Sequence, residues 1–107
     1  MQVRILIACS RGPSLRRAIG NDPTLEGTGL KVLEQQRIGR RHGWAKVYSE
    51  PHEKYGAINL HWDPHAALLV GRVVTRSRNK PGPIIGDFIG YLMTKYRTQI
   101  QSITIVP

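Results

Sequence analysis

A chain of 107 residues with 40% hydrophobic content is long enough for one core and too short for two, so a single basic domain over residues 1–107 is expected. Sixteen Lys and Arg against seven Asp and Glu leave a net charge of +9, a field that attracts polyanions. No apolar run is long enough to cross a bilayer, which argues against a membrane protein, and the single cysteine, Cys9, rules out an intrachain disulfide and favours the reducing cytoplasm.

Val3 to Ala8 is a β-rich apolar run without the basic start of a signal peptide, so it reads as a strand. Ser10-Arg-Gly-Pro-Ser14 offers a turn and helix caps ahead of a short helix over Leu15 to Ile19, which Gly20-Asn-Asp-Pro23 stops. From Leu30, apolar Leu30, Val32 and Ile38 alternate with Lys31, Gln35 and Arg37, the period of a strand with one wet face. Gly39-Arg-Arg-His-Gly43 supplies turn residues before a second alternating run, in which Ala45 and Val47 face one way and Trp44, Lys46 and Tyr48 the other. The two runs form a hairpin with a basic tip.

After a polar break, Ile58, Leu60 and Trp62 alternate with Asn59, His61 and Asp63 in a third half-buried strand. Asp63-Pro-His65 turns the chain into a Val- and Leu-rich strand over Ala67 to Arg76, with Arg72 and Arg76 on one parity. Ser77 to Pro83 reads as a basic loop. The helix after it carries Ile85, Phe88, Ile89, Leu92, Met93 and Tyr96 as one apolar stripe, with Tyr91 on its exposed side. Ile100 to Val106 closes the chain as a strand. The order β-α-β-β-β-β-α-β predicts an α+β fold: a mostly antiparallel sheet of five or six strands with two helices packed on one face.

That arrangement leaves the other face open. Strand parity gathers Lys31, Gln35, Arg37, Trp44, Lys46, Tyr48, Asn59, His61, Arg72 and Arg76 on it, with Arg40, Arg41 and His42 projecting from its rim. Aromatic rings beside cations suit exposed bases, because rings stack on bases while cations neutralise phosphates. Residues 35–80 hold nine Lys and Arg against three acids, and the loop residues Arg76, Arg78 and Lys80 are placed to clamp a phosphate backbone. Eleven of the sixteen cations are Arg, whose planar fork fits phosphate oxygens and guanine edges.

Other constellations are weaker. Ile7-Ala-Cys9-Ser-Arg-Gly-Pro-Ser-Leu-Arg16 puts a strand, a Cys and a helix start in the order of phosphate-binding cysteine loops, but position 15, where a low-molecular-weight phosphatase has its Arg, is Leu. Over about ten residues the segment resembles the phosphocysteine loop of sugar-transport IIB subunits, a likeness that does not extend into the hairpins; Cys9 reads as a small buried hydrophobe. His61, Asp63 and His65 alternate along the chain and could offer metal ligands, were it not for the bend that Pro64 imposes. Gly86 and Gly90, four apart on the last helix, suit tight packing on the sheet and leave a homodimer contact as the alternative.

The expected function is therefore nucleic-acid binding, to DNA or RNA, without catalysis, metal or cofactor. The alternative is a metal-free ribonuclease resembling small basic toxins in size and charge, in which His42, His61, Arg72 and Tyr48 would move protons and stabilise charge. A further alternative is an interaction domain for an acidic protein.

Overall fold

The computed structural model describes residues 2–10, 12, 14–25, 29–33, 44–49, 56–75 and 80–107. Strands β1 (Gln2–Cys9), β2 (Leu30–Leu33), β3 (Trp44–Ser49), β4 (Ala57–Asp63), β5 (Leu68–Val74) and β6 (Ile100–Val106) form one antiparallel sheet of order β2-β3-β4-β5-β1-β6. Helices α1 (Leu15–Gly20) and α2 (Gly82–Lys95) complete the expected α+β order. No helix among the described residues is long and apolar enough to cross a membrane.

Alternation decides what faces the helices. Val3, Ile5 and Ile7 of β1 stand opposite Val73, Gly71 and Leu69 of β5, and Ile58 and Leu60 of β4 continue the same rows, all of them buried. Ala45 and Val47 extend the core to β3, and Leu30 to β2. A side chain at Gly71 would be crowded: a Cβ there would lie 3.0 Å from Ile58 Cγ2. Between Ala8 and Cys9 the register with β6 slips by one residue, an irregularity that lets Ile100 and Ile103, three apart, both pack against the core.

Helix α1 starts where Ser14 accepts a hydrogen bond from the Arg17 amide (3.2 Å), and it buries Leu15 and Ile19. Helix α2 begins earlier than the sequence suggests, because Pro83 sits within the first turn, where the missing N–H costs nothing. Its buried residues are Ile84, Phe88, Tyr91 and Leu92, so the stripe is rotated from the expected one: Met93 is 44% exposed and Tyr91 is buried. The rotation goes with Tyr91, whose hydroxyl donates to the buried carboxylate of Asp22 and whose ring is drawn in on the flank of the stripe opposite Met93. Gly86 and Gly90 correspondingly face open space, not the sheet.

Ahead of β2, Asp22 ties the loop after α1 to the end of α2. Its Oδ2 accepts from the Tyr91 hydroxyl (2.7 Å), and its Oδ1 accepts from the Thr24 amide (2.9 Å), the Thr24 hydroxyl (2.7 Å) and Lys95 Nζ (3.1 Å). The carboxylate is 2% exposed and Lys95 39%. Burial alone would raise the Asp22 pKa, but the hydrogen bonds from Tyr91, Thr24 and Lys95 outweigh it and hold the carboxyl well below its usual range. Burial, with the Asp22 hydrogen bond second, drives the Tyr91 hydroxyl well above its ordinary value.

Candidate nucleic-acid interface

The helix-free face is built by the residues between the core positions. Cross-strand pairing aligns Lys46 of β3 with Asn59 of β4, Asn59 with Arg72 of β5, and Arg72 with Arg4 of β1. Opposed residues share a face, so these four side chains form one row across four neighbouring strands, a span of about 14 Å at the usual strand spacing. Arg4 and Arg72 are exposed, and Lys46 and Asn59 are half-buried.

Two further rows flank this one. Lys31 stands opposite Tyr48 on one side, and on the other Trp44 stands opposite His61, with Val70, Leu6 and Thr104 continuing across the sheet. His61 is exposed, and Val70 and Leu6 are partly so. Tyr48 is half-buried and packs against the core cluster, so its ring contributes to packing as well as to the face. The register thus places Lys31, Trp44, Lys46, Tyr48, His61 and Arg72 on one face. Lys80 is exposed just ahead of α2, off the strands, and Gln35, Arg37, Arg40, Arg41, His42, Arg76 and Arg78 lie outside the described residues.

The residue missed by sequence reasoning is Arg4. Its parity was visible, since it falls between the core positions Val3 and Ile5, but its importance depends on β1 lying beside β5. That adjacency puts two arginines directly opposite one another, about 5 Å apart at Cα. Like charges so placed oppose folding. Among the described residues neither arginine has an acidic partner.

The competing sites are less built. Cys9 is 7% exposed, its thiol lies 3.6 Å from the Ile7 carbonyl oxygen, and burial raises its pKa, which is the reverse of an activated thiolate. Asp63 shares the open face with His61, but its Oδ1 accepts from the amides of His65 (3.0 Å) and Ala66 (3.3 Å) and so shapes the β4–β5 turn. No group of three or more potential metal ligands occurs among the described residues. An open depression of about 310 Å³ beside that turn is lined by Gly12, Trp62, Pro64, His65 and Ala67. Tyr91 is buried against Asp22 and so contributes nothing to an exposed site. Comparison with protein families, with characterised proteins and with solved structures finds nothing that this chain matches.

Proposed function

We propose that this protein binds nucleic acid across the helix-free face of its sheet, with Arg4, Arg72 and Lys46 neutralising phosphates and the positions of Trp44, His61 and Tyr48 lying alongside for bases. The observation that carries this reading is the Arg4–Arg72 opposition on an exposed surface with no acid paired to either among the described residues. A polyanion laid along the row would turn that repulsion into paired attraction, while Asn59 between Lys46 and Arg72 offers hydrogen bonds to sugar or base edges. The net charge of +9 adds a long-range field that hastens encounter. The partly exposed Leu6 and Val70 beside the row give unpaired bases an apolar floor, which favours single-stranded or locally opened substrates.

A second reading, ribonuclease activity, has one specific point in its favour. His61 lies diagonally across β4 and β5 from Arg72 on the same face, within reach of a common phosphate for a proton-transferring imidazole beside a charge-stabilising guanidinium.

One assay tests both readings: incubation with labelled RNA, single-stranded DNA and duplex DNA over a salt series, scoring retention and strand integrity. Binding predicts retention that falls steeply with salt, and the Arg4→Gln/Arg72→Gln double variant lowers the log–log salt slope by about 1.4 for single strands, roughly 0.7 per lost phosphate contact. Intact strands favour binding alone. Cleavage that disappears in His61→Ala favours the enzyme. Absence of retention near physiological salt, or an unchanged slope in the double variant, overturns the assignment to this face. Binding of an acidic protein that survives heparin competition better than nucleic-acid retention does points instead to a protein partner.

A further inference from the structure

Strand β6 is an edge of the sheet: β1 lies on one side of it and, among the described residues, no strand lies on the other. An edge strand presents a row of unpaired backbone donors and acceptors, and proteins that remain monomeric guard such rows with charges, prolines or very short strands. The opposite edge, β2, is four residues long and carries Lys31. β6 is seven residues long and has neither a charge nor a proline. Its Ile105 is 45% exposed, one of the most exposed large apolar side chains among the described residues.

Charge distribution identifies the occupant. Two copies of a chain with net charge +9 repel one another over most of their surfaces, yet residues 98–107 contain no Asp, Glu, Lys, Arg or His. This uncharged edge is where a second copy approaches at least electrostatic cost. The nearest cation across the strand is Arg4, which stands opposite Val106 at one end of β6. Antiparallel pairing sends the two Arg4 residues to opposite ends of the paired strands, whereas parallel pairing would bring them side by side.

We propose that β6 pairs antiparallel with β6 of a second copy of this chain, joining two six-stranded sheets into one. The two-fold axis of an antiparallel strand pair runs normal to the sheet, so both helix layers fall on one side and both helix-free faces on the other. The same symmetry makes opposed residues share a face, so Ile105 meets a helix-side residue of the partner strand. This association needs no ligand. With only one strand pair at its centre, it is a concentration-dependent equilibrium and not a permanent dimer.

The test is sedimentation velocity on the nucleic-acid-free full chain over a concentration series, at salt high enough to screen the net charge. The expected result is a rise in mass from 12.0 kDa toward twice that value. Ile105→Lys and Ile105→Glu, each shown folded by circular dichroism, are monomeric alone, and their one-to-one mixture dimerises again. Backbone amides of residues 102–106 exchange more slowly with deuterium as protein concentration rises. A wild-type chain that remains monomeric throughout overturns the proposal. So does a dimer that is unaffected by either substitution, or one whose formation leaves exchange in 102–106 unchanged. None of these readouts involves nucleic acid, so failure here is distinct from failure of the binding reading.

Discussion

Asp22 and the Arg4–Arg72 pair show two opposite treatments of charge within one small fold. The Asp22 carboxylate is almost wholly buried, and hydrogen bonds from Tyr91, Thr24 and Lys95 reach both its oxygens. Arg4 and Arg72 are exposed, face one another across adjacent strands, and have no acidic partner among the described residues. The first arrangement is complete in the folded chain and holds α2 to the loop before β2. The second leaves two like charges side by side at the surface. A charge that has its partners within the fold is structural, and it is the other arrangement on which the proposed binding function rests.

Breaking the buried network has the largest expected effect on stability. Asp22→Ala takes the shared acceptor from Tyr91, Thr24 and Lys95, leaving the Tyr91 hydroxyl only its longer bond to Tyr96 Oη (3.3 Å) and Lys95 the Thr24 hydroxyl and water, and should cost about 2 kcal/mol in urea unfolding. It should leave the salt slope of nucleic-acid binding unchanged. The same carboxylate gives a pH signature: because its folded pKa is depressed, its stabilisation is full above the unfolded value near pH 4 and is lost as pH falls below that toward the folded value. Urea midpoints measured from pH 6 downward should therefore fall less steeply in Asp22→Asn than in the wild type.

Tyr91→Phe removes one of the donors and keeps the ring against Tyr96, whose centroid is 5.7 Å away in an edge-on arrangement. About 1–1.5 kcal/mol of destabilisation is expected by the same unfolding measurement. The smallest stability effect belongs to the other region: Arg4→Gln should change stability by no more than about 0.5 kcal/mol, with the sign toward stabilisation because a like-charge pair is relieved. A loss comparable to that of Asp22→Ala would erase the contrast and assign Arg4 to the structure.

The local elements were legible because alternation is a strong signal wherever one face is buried. Asn59 and His61 between Ile58, Leu60 and Trp62, and Lys46 between Ala45 and Val47, declare their face without any knowledge of neighbours. The open-face assignments of Lys31, Trp44, Lys46, Tyr48, His61 and Arg72 follow from parity alone, and the register agrees with them. What parity cannot convey is strand order. Arg4 stands beside Arg72 only because β1 inserts between β5 and β6, a pairing that spans most of the chain. The stripe of α2 was misjudged for a related reason: Tyr91 is buried by a hydrogen bond to Asp22, 69 residues away, and hydropathy counting sees a tyrosine but not its distant acceptor. In the same way Asp22 read as part of a helix stop, which it is, while its long-range ties were invisible.

The central position of β1 also dictates the order in which the chain becomes a protein. Ala8 must find Leu68 on one side and Ser102 on the other, so β1 has no partner until β5 exists and is not enclosed until β6 does. At about 5–20 residues per second, the 60 residues between Ala8 and Leu68 take roughly 3–12 s to make. During that interval Val3, Ile5 and Ile7, which end in the core, are without their native cover. The hairpin strands β3, β4 and β5 can meanwhile assemble through near neighbours, leaving β1 to dock onto a preformed edge. Long-range pairing of this kind slows folding in general, and here it falls on β1, whose apolar residues wait longest for their cover.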